Sequence, residues 1–273
     1  MNVSFTKPQE QLAPYVASFW VFDSSAGVPI TDSRIIVPDG RAKILIPYKN
    51  SLSVDIDGST TYTKEHEIFL TGIQTNPRTI CSSITDTGTI GVELTPKGLY
   101  HFFDLSMHEI TDRLYSFEHL FGIRGVSLQN RIADIESPDG KIAFLQNALM
   151  ELLQRNPKYY ALLDYTIDLI TQSHGRIRIQ ELAAQTGYSK RYLDMLFKER
   201  VGLSPKSLAS ILRFQFYYQS WTQKIASALS SDGLSSGYYN QSHSIKEFKR
   251  FTGYSPQKYA ALATEFNKGF HQQ

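Results

Sequence analysis

Apolar and polar positions along the chain follow two regimes. Up to about residue 105, short apolar runs are broken by turn residues, the pattern of strands. These runs are Tyr15 to Phe22, Ile35 to Val37, Ala42 to Tyr48, Leu52 to Ile56, Thr60 to Thr63, Ile68 to Thr71, Thr79 to Ile84 and Thr89 to Thr95. Asp57-Gly58 sits between two of them as a hairpin turn. After Pro96-Lys97-Gly98 the period becomes helical, over Leu99 to Leu105, Leu114 to Phe121, 127–136 and 139–154. Asn156-Pro157 is a break, because the residue before proline resists helix. The rest is helical to the end. The pattern predicts an α+β chain: a small antiparallel β-barrel or sandwich with a helical tail over residues 1–157, and an all-α part over 158–273.

The all-α part repeats itself. Gly187-Tyr188, Phe197-Lys198, Gly202 and Ser204-Pro205 recur as Gly237-Tyr238, Phe248-Lys249, Gly253 and Ser255-Pro256. The offset is 50 residues at the first landmark and 51 at the last, so one supersecondary unit is built twice. In the first copy Ile179, Leu182 and Ala183 form the apolar face of a short helix, and Gly187 supplies the left-handed turn. Ser189 caps a second helix that turns Tyr192, Leu193, Leu196 and Phe197 inward and Lys190, Arg191, Asp194 and Lys198 outward. That is a helix-turn-helix pattern. Ser204 and Pro205 open a joining helix to about Trp221, whose aromatic load predicts that it packs on both copies. The helix supporting the second copy is expected around Ile225 to Ser236.

Charge sharpens this picture. Net charge is only +2, but residues 158–273 carry 15 Lys/Arg against 8 Asp/Glu, and residues 1–157 carry 13 against 18. A basic helical part joined to an acidic β-rich part points to a polyanion as partner of the former. The single cysteine, Cys81, excludes a disulfide framework and a thiolate-rich zinc site, and in an alternating strand it reads as a small buried hydrophobe. The N-terminus lacks the order of a signal peptide, and no apolar run has the roughly 18 residues of a membrane span, so the cytoplasm is the expected location. His66, Glu93 and His101 are too scattered to predict a metal site, and no cofactor is expected.

The stretches Gly237-Tyr-Tyr-Asn-Gln-Ser-His243 and Ile245-Lys-Glu-Phe-Lys-Arg-Phe-Thr-Gly253-Tyr-Ser-Pro256, with Gly187 to Leu193 and Phe197-Lys198, resemble the signature of AraC-type transcriptional regulators. Arg213 falls where that family's linker helix carries an arginine. Val37 to Gly40, Phe69 to Gly72 and Gly91 to Pro96 resemble, more loosely, sensor domains attached to some of these regulators. The resemblance implies two recognition helices entering adjacent major-groove segments of duplex DNA. By position the candidate readers are Ser189, Lys190, Arg191 and Asp194, then Asn240, Gln241, Ser242 and Lys246; Lys198, Lys249 and Arg250 are candidate phosphate contacts. The second copy departs from the pattern at Asp232, Gly233 and Ser244, which predicts a looser unit. The expected function is a sequence-specific regulator and not an enzyme, modulated through its N-terminal part, with a small-molecule effector, RNA polymerase and a second copy of the chain as candidate partners. The alternatives are a ligand-binding or partner-interaction protein with a degenerate second unit, and a metal-dependent cupin-like enzyme.

Overall fold

The structure is a computed structural model, and it describes residues 2–25, 34–50, 53–56, 59–81, 86–155, 160–230 and 242–262. The strands are β1 (Asn2–Thr6), β2 (Val16–Ser24), β3 (Arg34–Ile36), β4 (Ala42–Lys49), β5 (Ser53–Ile56), β6 (Ser59–Tyr62), β7 (Phe69–Thr71), β8 (Arg78–Cys81) and β9 (Thr87–Leu94). Next come α1 (Pro96–Phe102), α2 (Met107–Ile110), β10 (Leu114–Ser116), α3 (Phe117–Phe121), α4 (Ile123–Ala133) and α5 (Pro138–Arg155). The helical part holds α6 (Ala161–Gln172), α7 (Ile179–Thr186), α8 (Lys190–Val201), α9 (Pro205–Ser230), α10 (Ser242–Thr252) and α11 (Pro256–Leu262).

Two antiparallel sheets carry the N-terminal part, in the orders β1-β2-β9-β4-β7-β10 and β3-β8-β5-β6. β5 and β6 pair Ile56 with Ser59, the register of a two-residue loop at Asp57-Gly58; those two residues lie outside the described ones. Alternation along β2, β4 and β9 gives the large sheet two faces. Phe19, Ile44, Ile46, Ile90, Val92 and Leu94 join one continuous core with Leu99, Tyr100 and Phe103 and with Ile142, Leu145 and Leu149 of α5. On the other face, paired across the strands, are Ser18, Glu93, Lys43 and Thr71. Arg41 and Lys43 pair there with Glu93 and Asp39, four charges that neutralise one another.

The α+β class and the division into an antiparallel-sheet part and a helical part hold. Three local readings do not. Residues 114–116 are strand, not helix: they pair with β7 from Leu114↔Thr71 to Ser116↔Phe69, so the sheet ladder overrides their apolar spacing. The edge strand β1 was not expected either, because four of its five residues are exposed and show no alternation. The joining helix runs on from Trp221 to Ser230, about 39 Å for its 26 residues, so Ile225 to Ser230 extend it and do not start a separate helix. Residues 231–236 lie outside the described ones.

The two parts pack on one another. Lys97 of α1 pairs with Asp168 of α6 at 2.7 Å, and His101 Nε2 lies 3.2 Å from Asp164 Oδ1. The C-terminal end of α8 sits on α2 and its flanks: Arg200 reaches Asp104 at 3.2 Å, Ser106 donates to Glu199 at 3.1 Å, and Thr111 Oγ1 donates to the Gly202 carbonyl at 3.0 Å. The Pro38-Asp39-Gly40 loop lies against α9, with Gln215 Nε2 donating to the Pro38 carbonyl at 2.6 Å.

Candidate nucleic-acid interface

The repeat is visible as repeated local chemistry. α7 ends at Gly187 in the left-handed region (φ 75°), whose N–H closes on the Ala183 carbonyl at 3.0 Å. Ser189 caps α8 by accepting the Tyr192 N–H at 3.2 Å. α8 ends at Gly202 (φ 86°) and α10 ends at Gly253 (φ 79°). The Gly202 N–H reaches the Phe197 carbonyl at 3.0 Å, and the Gly253 N–H reaches the Lys249 carbonyl at 2.9 Å. Ser204 then accepts the Ser207 N–H at 3.1 Å and Ser255 the Lys258 N–H at 3.4 Å, so α9 and α11 start alike.

α9 holds the two units. Phe214, Tyr218 and Trp221 meet Phe248 and Phe251 of α10 and Tyr259 of α11 in one aromatic cluster, with Phe214 and Phe251 centroids 4.8 Å apart and Trp221 and Phe248 4.9 Å apart. The Tyr218 and Tyr259 hydroxyls bond at 2.8 Å inside it, and burial first, then the neighbouring hydroxyl, pushes the Tyr218 phenol far above its usual range. At the first unit Phe216 stacks on His174 at 4.4 Å. Arg213 is the polar counterpart. Its Nη2 donates to Glu247 Oε1 at 2.6 Å, its Nε to Glu247 Oε2 at 3.4 Å, and its Nη1 to the Gly175 carbonyl at 3.3 Å. Ser210 adds a bond to Glu247 Oε1 at 2.7 Å. One side chain thus ties the joining helix to the turn after α6 and to α10, which sets the rotation of α10 about its own axis.

On α8, Leu193, Phe197 and Val201 are buried, while Lys190, Arg191, Met195 and Lys198 are exposed and Asp194 is half-buried. At 100° per residue the Arg191–Met195–Lys198 stripe faces away from the buried stripe, and Met195 and Glu199 point furthest out, each about 160° from its centre. The polar contacts with α2 and its flanks come from Glu199, Arg200 and Gly202 at the C-terminal end of α8, while Arg191, Met195 and Lys198 stay exposed. Tyr192 was expected inside; it is 39% exposed and stacks on the exposed Tyr188 at 5.1 Å, beside the capping turn. On α10, Phe248, Phe251 and Thr252 are buried, and Lys246, Lys249 and Arg250 are exposed, with Lys246 and Arg250 outermost.

Of the candidate readers, Ser189, Lys190, Arg191 and Asp194 share the start of α8 with Lys198 further along, and Lys246, Lys249 and Arg250 share α10. Ser189 spends its hydroxyl oxygen as a helix cap. Ser242 opens α10, its side chain outside the described residues, and Asn240 and Gln241 lie outside them altogether, as do Asp232 and Gly233. Met195 escaped the sequence reading, which weighed only donors and acceptors as readers; its place on the outward stripe was the available signal. Among the described residues no group of three or more His, Cys, Asp or Glu side chains is arranged to hold a metal ion. Glu93 faces Arg41 and Lys43, and His101 faces Asp164.

Residues 4–116 match a family described as a domain of unknown function (DUF6597), and residues 182–261 match one described as a helix-turn-helix domain. No curated protein matches. Among solved structures, an apo single-site variant of ToxT from Vibrio cholerae strain SCE256 aligns at TM-score 0.48 with 13% identity, over 90% of this chain and 98% of that one. ToxT from Vibrio cholerae O395 bound to (E)-4-(8-methylnaphthalen-1-yl)but-3-enoic acid aligns at 0.45 with 13% identity, over 89% and 98%. The unsaturated-fatty-acid-bound ToxT of strain SCE256 aligns at 0.42 with 14% identity, over 89% and 94%. The doubled unit and the family match agree: residues 182–261 are an AraC-type helix-turn-helix domain, the DNA-binding part of a transcriptional regulator.

Proposed function

We propose that the chain is a sequence-specific transcriptional regulator that lays α8 and α10 into two successive major-groove segments on one face of duplex DNA. The observation that carries this reading is the pair of outward cationic stripes, Arg191–Lys198 and Lys246–Arg250, on two helices built alike and bound to one joining helix. Arg191 and Asp194 read base edges, as do Asn240, Gln241, Ser242 and Lys246 at the second unit. Lys190, Lys198, Lys249 and Arg250 hold phosphates, and Ser189 fixes the start of α8. The functional division falls between residues 157 and 158. The β-rich part receives an effector and transmits it through the Pro38–Gly40 loop to α9, so that RNA polymerase is recruited to, or excluded from, a promoter. The protein works in the cytoplasm and is not an enzyme; no described helix is long and apolar enough to cross a membrane.

Selection of duplexes from a random pool by the full chain, followed by affinity measurement against salt, tests this. Each phosphate contact steepens the fall of log K with log salt by about 0.9, so affinity for the selected duplex drops steeply. Arg191→Ala weakens that duplex by about 1–3 kcal/mol and relaxes one position of the selected sequence. A pool that never converges, or an affinity indifferent to salt, contradicts the reading.

A further inference from the structure

We infer that Met195 is a specificity-determining side chain of α8 and reads the 5-methyl group of a thymine on the floor of the major groove. The inference rests on the DNA-binding reading above and adds a residue and a base to it. Single exposed apolar side chains are ordinary on protein surfaces. Met195 stands apart because of where it is. It is 60% exposed on the outward side of α8, with Arg191 one turn before it and Lys198 and Glu199 one turn after, and Glu199 is already held by Ser106 at 3.1 Å. Opposite it, Leu193, Phe197 and Val201 are buried. Of the two residues furthest from the buried stripe, Met195 is the one nearer the start of α8 and not engaged by Ser106, so it descends deepest when the helix enters a groove. To one side of that line Lys198 reaches a phosphate wall and Arg191 a neighbouring base edge, and Met195 meets the base edges between the walls.

The edges present donors, acceptors and, among the four bases, one apolar group, the thymine 5-methyl. A thioether neither donates nor accepts strongly, so a methionine in that position gains nothing from guanine O6 or adenine N6 and leaves them dehydrated. Against a thymine methyl it removes apolar surface from water on both partners. Three rotatable bonds let the side chain find the methyl without shifting the helix. Met195 is 60% exposed and is not one of the buried core residues, so its loss is not expected to disturb the fold.

The test uses the full chain and the duplex it selects. Each thymine of the bound sequence is replaced in turn by deoxyuridine, which removes the methyl and nothing else, and affinity is measured for the parent protein and for Met195→Ala. At one thymine the exchange weakens the parent protein roughly fourfold, the worth of one buried methyl. Met195→Ala binds the thymine duplex more weakly by a similar factor and ignores the exchange, and Met195→Leu keeps the sensitivity. The inference is overturned if uracil at every thymine leaves the parent within twofold, or if Met195→Ala retains the full penalty. The first comparison needs no variant, so a folding defect cannot obscure it. A chain that selects no duplex overturns the DNA-binding reading itself, a result distinct from tight binding that is indifferent to the methyl.

Discussion

Arg213 is the side chain through which the two units are held at a fixed angle, and Arg213→Ala tests that role. The substitution removes two bonds to the Glu247 carboxylate, at 2.6 and 3.4 Å, and one to the Gly175 carbonyl at 3.3 Å. Hydrogen bonds involving a charged group are each worth about 1.5–3 kcal/mol when buried, whereas an exposed ion pair is worth about 0–1. The side chains of Arg213 and Glu247 are 33% and 13% exposed, which places the pair between these limits. After the substitution Glu247 keeps the Ser210 hydroxyl at 2.7 Å but loses its cation, so the expected loss is about 1–3 kcal/mol. Arg213→Lys recovers part of it, because an ammonium cannot span both carboxylate oxygens and the Gly175 carbonyl together. Arg213→Ala combined with Glu247→Ala costs less than the sum of the single changes by about 1 kcal/mol or more, since the double variant buries no unpaired charge. Thermal melting measures the stability. A footprint on the selected duplex measures the angle, and the contacts of α10 weaken more than those of α8. If Arg213→Ala melts with the parent protein and gives an unchanged footprint, the coupling argument fails.

Two further comparisons probe the junction between the β-rich and helical parts. Gly202→Ala and Gly253→Ala both place a side chain in the left-handed region at about 1–2 kcal/mol, but only at Gly202 would the new carbon meet Thr111 Oγ1 at 2.3 Å and the Met107 carbonyl at 2.7 Å. Gly202→Ala therefore lowers the melting temperature clearly more than Gly253→Ala; equal effects would refute the contact between α8 and α2. Burial raises the Asp164 carboxyl, but hydrogen bonds from His101 and Tyr100, with the charge of Lys97, outweigh it, so its folded pKa lies below the ordinary aspartate value. Its contribution is present above that value and lost as pH falls through the folded pKa, so Asp164→Asn lowers stability near neutral pH and narrows the gap to the parent in acid. A gap that stays constant down to pH 2 would contradict this.

What could be read in the sequence was local. The glycines at 187, 202 and 253 and the serines at 189, 204 and 255 act on neighbours within five residues, so their spacing announced the turns and caps found here. The alternation over Ile90, Val92 and Leu94 likewise announced β9. Some of what was missed depends on distant partners. β10 is a strand because β7 lies beside it, 43 residues earlier at the Leu114↔Thr71 pair. The extension of α9 was legible but missed: Thr222-Gln223-Lys224 follows Trp221 with no proline or glycine to close the helix. Tyr192 precedes Leu193 in sequence but lies about 140° around the helix from the centre of the buried stripe, so it is exposed and stacks on Tyr188. The packing of α8 on α2 leaves no mark in either segment, since Gly202 serves equally as an ordinary helix stop.

The most direct measurement for the central claim is a hydroxyl-radical footprint of the full chain on the duplex it selects. Two protected patches on one face of the helix, about 10 base pairs apart, are predicted for α8 and α10 held by one joining helix. A single patch, or protection on opposite faces, would contradict the account.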